Sequence, residues 1–394
     1  MLDSLNNRKK QCENTAVILC SRNNHYYVVK PVIEELQQRG WRTKTLRFET
    51  VGETLIRIEK KINTLKKHDT TLEDKIKKQK KKRNQHVAIT TYLLSYILGY
   101  LIMRKPDRII VMTDGPLLER ALILLGRRLR IPSLRLQIGI VGYQYESGEF
   151  MVDKMAVTGQ IAKDIIMKTG IAPSDKLVVT GSPVYDRLVK ADKFFSKEPI
   201  CRNLSLDLNR KIVVFASENL SPEKNRMHAR VVCRVMKNFP EVQFVIKVHP
   251  AERDILLYES IAREMGRTCV VIRDFDIHQI LYVSDIVILC FSTTGLEAMI
   301  LKKPLIILCQ FMEKPPVDYA SEGAAIRTRT EQELRDTIKE LLENEQARHE
   351  LAKNRDTFIY KYAYIQDGKS TERVCDLIED MSKRKKNVMK EYMR

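Results

Sequence analysis

Two short segments of this 394-residue chain place side chains capable of chemistry just past apolar runs. One is Val245-Ile246-Lys247-Val248-His249-Pro250, the end of the run 242–248. The other is Cys290-Phe291-Ser292-Thr293-Thr294-Gly295-Leu296-Glu297-Ala298-Met299, which follows Ile286–Leu289 and leads through its own helix into Pro304–Leu308. Open α/β sheets bind ligands beyond the carboxyl ends of their strands, so the His-Pro and the hydroxyl cluster are expected to converge on one crevice. Hydroxyls, then Gly295, then a helix carrying Glu297 suit a nucleoside diphosphate. The hydroxyls donate hydrogen bonds, free N–H groups at a helix start face the anion, and the carboxylate accepts from ribose hydroxyls.

The elements that must position these residues follow a βαβ rhythm. Thr15–Cys20 reads as a buried strand, a helix runs from about Tyr26 to Arg39, Gly40 stops it, and Trp41–Phe48 resumes as a strand. Arg108–Met112 ends in Thr113-Asp114-Gly115-Pro116, and the helix Leu117–Leu129 leads to the strand of Ile131–Gly139. Met155–Gly159 and Leu177–Pro183 are further strands ending in glycine. A polar, irregular stretch, 191–209, reads as the interdomain connection, and a second α/β set begins at Lys211. Its helix Glu331–Asn344 has a 3.6-residue apolar period. The last helix, Gln366–Met381, is expected to pack back on the first domain. The fold class is therefore α/β: two Rossmann-like domains facing across a cleft, too long a chain for one core. The domains are residues 1–190 and 211–365, joined by a linker at 191–210 and followed by a helix and basic tail at 366–394.

Residues 52–86 interrupt the rhythm as a basic helical insertion. Leu55, Ile58, Ile62 and Leu65 form one narrow stripe, and Thr70-Thr71-Leu72-Glu73 offers a capping box. The 17 mostly apolar residues of Val87–Met103 fall short of the roughly 20 a bilayer span needs, so a helix packed on the sheet is expected. The formal charge of +19 concentrates in Lys60–Arg83, with a smaller block at Lys383–Lys386. That charge reads either as a solvated helical face or as a preference for anionic partners, foremost an anionic membrane surface met by the Lys60–Arg83 arm. Nucleic acid is excluded as a partner, because no recognition motif or stacking run accompanies the lysines. Eight isolated cysteines without a C-x-x-C argue against a zinc site or a disulfide framework. No apolar signal core opens the chain, so a cytoplasmic protein, peripheral on the inner face of the plasma membrane, is expected.

The segments VMTDGP, IPSLRLQIGI, VVTGSPVYDRL, VIKVHP, VSDIVILCFSTTGLEAMILKKPLIIL and DGKSTERV, in that order, resemble the GT-B fold glycosyltransferase superfamily. The resemblance is to the branch holding the non-hydrolysing UDP-N-acetylglucosamine 2-epimerases, the teichoic-acid glycerophosphotransferases and the capsule polysaccharide glycosyltransferases. It implies that His249, with Pro250 shaping its loop, reaches the donor phosphates. Ser292, Thr293 and Thr294 hold the pyrophosphate at a helix start, Glu297 holds the ribose, and Gly181 and Ser182 border the cleft. Lys247 beside His249 implies an imidazole partly charged near neutral pH, suited to the leaving phosphate. Asp114 is the expected base for the acceptor hydroxyl, and Glu146 and Glu149 are expected in a polar loop on the cleft. No metal or other cofactor is expected.

The function implied is a metal-independent transferase. It moves a sugar or glycerophosphate group from a nucleotide-activated donor to a surface polysaccharide or lipid-linked acceptor. The rival readings are an epimerase and a non-catalytic nucleotide-sugar binder. Against the epimerases stand three departures. Ala216-Ser217-Glu218-Asn219-Leu220 replaces their Gly-His-Arg-Arg-Glu segment, Gln137-Ile138-Gly139 lacks their glutamate, and Ser21-Arg22-Asn23-Asn24-His25 replaces their Gly-Thr-Arg-Pro-Glu.

Overall fold

The computed structural model describes residues 14–47, 91–141, 150–252, 254–308 and 317–392. Two six-stranded sheets organise them. The first holds β1 (Thr15–Cys20), β2 (Arg42–Arg47), β3 (Arg108–Val111), β4 (Ser133–Leu136), β5 (Lys154–Val157) and β6 (Leu177–Val179). The second holds β7 (Ile212–Ala216), β8 (Gln243–Lys247), β9 (Val270–Ile272), β10 (Ile286–Leu289), β11 (Leu305–Leu308) and β12 (Ile326–Thr328). Every pairing is parallel. Parallel sheets are covered on both faces, which is why β3, β7, β10 and β11 are buried at every residue and, apart from Arg108 opening β3, read as unbroken apolar runs.

The strand orders are β2-β1-β3-β4-β5-β6 and β12-β11-β10-β7-β8-β9. Each order turns back once, between β1 and β3 and between β7 and β10. At such a switch point the loops from two neighbouring strand ends diverge to opposite faces and leave a crevice. Two Rossmann-like domains, the expected fold class, thus present one crevice each.

The helices of the first domain are α1 (Asn23–Gln38), α2 (91–104), α3 (Leu117–Arg128) and α4 (Gln160–Lys168). Next come α5 (Pro183–Val189), α6 (Ala191–Phe194) and α7 (Lys197–Asn203). The second sheet carries α8 (Pro222–Met236), α9 (Leu256–Glu264), α10 (Ile277–Val283), α11 (Thr294–Ile300), α12 (Glu331–Glu343) and α13 (Glu345–Ala363). The chain then returns as α14 (Ser370–Tyr392). Its Val374, Cys375 and Ile378 are fully buried in the first domain's core beside α1. Arg39 Nη1 meets Asp376 Oδ1 at 2.6 Å, and Arg108 Nε donates to the Ile378 carbonyl at 3.0 Å. The expected return helix is there, starting four residues later than its sequence suggested.

Two expectations need correction. The stretch 191–209 is not irregular: it folds into α6 and α7, and Ala191, Phe195, Ile200, Cys201 and Leu204 are buried with β7 and β10. Helices of four and seven residues are too short to show a period among so many charges. α2 packs on the sheet by one stripe only. Ile97 and Leu101 are fully buried, whereas Tyr92 and Met103 are more than two-thirds exposed. Among the described residues no helix is long and apolar enough to cross a membrane, and none of the six described cysteines forms a disulfide. The basic insertion and the loop with Glu146 and Glu149 lie outside the described residues.

Candidate nucleotide site

At the second switch point the backbone leaves β7 through Ser217 and Glu218, and those two residues tie the flanking loops together. Ser217 Oγ accepts the His249 N–H at 2.9 Å, past the end of β8. Glu218 Oε1 accepts three backbone N–H groups past the end of β10, from Cys290 (3.0 Å), Phe291 (2.5 Å) and Ser292 (2.8 Å). The His-Pro loop and the hydroxyl loop therefore converge, as their places after strand ends required. Glu218 is buried, and its Oε2 has no partner among the described residues. Burial pushes its pKa up, against the pull of the three N–H donors.

His249 is braced from behind. Ala251 N–H donates to His249 Nδ1 at 3.1 Å, which leaves the imidazole proton on Nε2. Glu252 Oε1 accepts the Ser217 hydroxyl, while its Oε2 accepts from Asn225 Nδ2 at 2.8 Å and the Tyr258 hydroxyl at 2.5 Å. Burial lowers the His249 pKa from its usual value, with Glu252 raising it and Lys247 lowering it further. Both this lowering and the Nδ1 bond to Ala251 favour a ring with an Nε2–H to offer over the partly charged imidazole expected. Lys247 is corrected with it. Its ammonium is buried and donates to the carbonyls of Val248 (3.1 Å) and Arg273 (2.6 Å), so it fastens this loop to the next. Pro250 is exposed beside it.

The hydroxyl loop also differs from expectation. The first N–H groups of α11 are not free. Thr294 N–H bonds Ser292 Oγ at 3.3 Å, Gly295 N–H the Ser292 carbonyl at 3.0 Å, and Leu296 N–H the Thr293 carbonyl at 3.0 Å. With Glu218 holding the N–H groups of Cys290, Phe291 and Ser292, most of this turn's backbone donors are already engaged. What it offers the cleft is hydroxyls: Thr293 is exposed, and Ser292 and Thr294 are half-buried and 3.1 Å apart at their oxygens. Gly295 is required by packing, because an added Cβ would stand 2.9 Å from the Tyr319 ring. The Tyr319 hydroxyl donates to the Ser292 carbonyl at 2.8 Å. Across the cleft stands Gly139, held at φ +67°, where a Cβ would lie 3.4 Å from Thr293 Cγ2.

Glu297, on α11, is half-buried, its Oε2 3.5 Å from His278 Nε2. Gly181 and Ser182 are both buried. Gly181, at φ +79°, turns its open side to α14, where an added Cβ would collide with the Ser370 hydroxyl. Asp186 caps α14 by accepting from Ser370 N–H (2.9 Å) and Thr371 N–H (2.7 Å), and Arg373 Nε donates to the Thr180 carbonyl at 2.8 Å. The VVTGSPVYDRL and DGKSTERV segments therefore hold the chain's crossing to each other, and Gly181 serves that crossing.

The first switch point carries a different set. Asp114 is buried with both oxygens engaged, Oδ1 by Arg135 Nη1 at 2.7 Å and Oδ2 by the Met151 N–H at 3.1 Å. That geometry makes it a clamp on the following loop rather than the expected base. Glu119, on α3, is fully buried; its Oε1 accepts the Ser21 hydroxyl and its Oε2 has no partner among the described residues. Burial raises its pKa, and the nearby Asp114 charge adds to that. Gln137 has its amide closed within its own domain, donating to Gly139 O (2.9 Å) and Thr158 Oγ1 (3.0 Å) and accepting from Thr158 N–H (3.0 Å).

Sequence reasoning missed Glu218, Glu252, Asn225, Tyr258, His278, Tyr319 and Glu119. Glu218 had a usable signal, since it directly follows a strand end at a switch point. Glu252 follows His249 by three residues in the same turn. The others come from distant segments and leave no local mark.

Known proteins fit this geometry. The model of the family described as CDP-Glycerol:Poly(glycerophosphate) glycerophosphotransferase matches residues 145–380, more than half of the chain. No curated protein matches in sequence. Among solved structures, UDP-GlcNAc 2-epimerase from Neisseria meningitidis bound to UDP-GlcNAc is similar at 17% identity and TM-score 0.62, over 93% of this chain and 100% of that one. A putative UDP-N-acetylglucosamine 2-epimerase from Listeria monocytogenes is similar at 15% identity and TM-score 0.65, over 94% and 97% of the two chains. A variant of the wall teichoic acid polymerase TagF is similar at 11% identity and TM-score 0.61, over 95% and 90%. At these identities the likeness is one of fold.

Proposed function

Because the chain belongs to the CDP-glycerol:poly(glycerophosphate) glycerophosphotransferase family, we propose that the group it transfers is glycerophosphate, carried by CDP-glycerol to a growing cell-envelope polymer. The coarser statement, a transferase using a nucleotide-activated donor, follows from the family itself. In the reaction, an acceptor hydroxyl oxygen forms a new bond to the phosphorus bearing glycerol, and the bond from that phosphorus to the CMP phosphate oxygen breaks. The acceptor proton leaves to a base and CMP departs.

The observation that carries this reading is the orientation of His249. With Nδ1 accepting from Ala251, the ring offers Nε2–H as a fixed donor beside the Ser292–Thr294 hydroxyls. Fixed donors aimed at a departing phosphate stabilise charge where it develops, with no reorganisation at the moment of reaction. We read Glu297 as the ribose contact. Gln137, a neutral amide with its hydrogen bonds satisfied, supplies none of the proton transfer that epimerisation needs, which favours transfer over the rival. We further propose chemistry without a metal ion, the charge on the departing phosphate being met by the His249 Nε2–H and the Ser292–Thr294 hydroxyls. The Lys60–Arg83 arm we assign to an anionic membrane face, a reading that co-sedimentation with anionic vesicles at low and high salt tests.

The central test compares CDP-glycerol with UDP-N-acetylglucosamine by calorimetry and by CMP release in EDTA. His249→Ala should weaken CDP-glycerol binding about tenfold or more, the worth of a charge-assisted hydrogen bond at about 1.5–3 kcal/mol, with the fold intact. Unchanged affinity removes the phosphate role. Turnover of the UDP-sugar alone removes the donor assignment, and turnover only with added divalent metal removes the metal-free one.

A further inference from the structure

We propose that Tyr27, hydrogen-bonded to His278 across the domain cleft, acts through that imidazole to orient Glu297, which makes Tyr27, from the opposite domain, a positioning residue for the bound nucleotide. The proposal rests on the reading of Glu297 as the ribose contact.

Tyr27 lies on α1 of the first domain, and His278 and Glu297 lie on α10 and α11 of the second. The Tyr27 hydroxyl stands 3.0 Å from His278 Nδ1, and His278 Nε2 stands 3.5 Å from Glu297 Oε2. Tyr27 is 46% exposed, so its own domain's packing does not account for where its ring points. His278 is buried at 1% exposure, and its place is fixed by Asp276, whose Oδ1 accepts the His278 N–H at 3.0 Å. A buried imidazole cannot exchange a lost partner for water, so the group facing one nitrogen decides what the other presents.

The direction of the relay follows from the carboxylate. Glu297 Oε2 faces Nε2, so the proton-bearing nitrogen on that side is Nε2. Nδ1 is then the acceptor, and the Tyr27 hydroxyl donates to it. The ring turns its Nε2–H toward the Glu297 carboxylate and holds that carboxylate in place. Without the phenol, the proton can move to Nδ1, and an Nε2 lone pair would face the carboxylate and repel it. Arg187 completes the group, with Nη1 3.5 Å from Asp276 Oδ2 and its guanidinium 4.6 Å from the Phe195 ring centroid. The donor from the first domain reaches the second only while the domains are together. Closure over the cleft is thus read out at the residue that grips the ribose.

The test uses the full chain and CDP as probe. Tyr27→Phe removes only the hydroxyl of a half-exposed residue. It should weaken CDP about threefold, Glu297→Gln about tenfold, and the double variant no more than Glu297→Gln alone, the non-additivity of residues acting in series. In protein carrying ¹⁵N-histidine, the His278 ring shifts should report the Nε2–H tautomer in the parent and a mixture in Tyr27→Phe. A purely structural role for Tyr27 would leave that tautomer unmoved. Equal weakening by Tyr27→Phe in the parent and Glu297→Gln backgrounds, or an unmoved tautomer, overturns the relay and leaves the ribose reading standing. CDP binding unchanged by Glu297→Gln overturns the ribose reading, and the relay's purpose with it.

Discussion

The two switch points are built alike in backbone and oppositely in side chains. Each places a buried carboxyl group where loops diverge from neighbouring strand ends: Glu218 in the second domain, Glu119 in the first. Glu218 accepts three backbone N–H groups and behind it Glu252 accepts from Ser217, Asn225 and Tyr258, so both acids fix the shape of loops. Glu119 accepts one hydroxyl and has an oxygen with no partner among the described residues, and its neighbour Asp114 is held by Arg135. The loops of the second switch point are thus braced by their own side chains, which fits the phosphate-binding role proposed for them, since such a loop acts without reorganising. The first domain keeps instead a carboxyl whose charge its surroundings oppose.

If Glu218 is a brace, removing it should cost the most. Glu218→Ala leaves three N–H donors without their acceptor, one buried and two partly buried, so urea unfolding should show a loss of about 2–3 kcal/mol. Glu218→Gln keeps an accepting oxygen and should lose far less. A loss below about 1 kcal/mol in the alanine variant breaks the comparison, because the loop would then hold its shape unaided. Asp114 comes next. Asp114→Asn replaces an ion pair with Arg135 by a hydrogen bond to an uncharged oxygen, and should cost about 1–2 kcal/mol while turnover falls only as the folded fraction does. Parent-like stability with turnover abolished would instead return Asp114 to the role of acceptor base.

Much of the fold was legible because parallel strands buried on both faces leave apolar runs, as in Ile212–Ala216 and Ile286–Leu289. The convergence of His249 with Ser292–Thr294 was legible for a related reason, since both follow strand ends. What the sequence could not show was which partner each group meets. Lys247 sits beside His249 in sequence, yet its ammonium turns to a carbonyl 26 residues away. Asp114 meets Arg135 from the next strand, and Glu297 meets His278, a residue with no motif around it. The hydroxyl loop read as open to an anion because local pattern does not reveal that Glu218, more than 70 residues earlier, already bonds its N–H groups. Tertiary partners, not local propensity, decided each of these.

The smallest expected effect tests the first switch point by pH. Glu119 has its pKa raised above the usual carboxyl value of 4.5, chiefly by burial. A group raised in the folded state contributes stability that is fully present below its unfolded pKa and is lost as pH climbs through the folded one. Glu119→Gln keeps an oxygen to accept the Ser21 hydroxyl and has no charge to bury. Near pH 4.5 and below, parent and variant should therefore melt at similar temperatures. Toward neutral and mildly alkaline pH the variant should become the more stable of the two, and the gap should widen until the parent carboxyl is fully ionised. Taking the difference cancels every other titrating group common to both proteins. A gap that reverses, with the parent gaining as pH rises, would mean that Glu119 is charged and well paired in the folded protein. The two switch points would then be alike in their acids as well as in their strands.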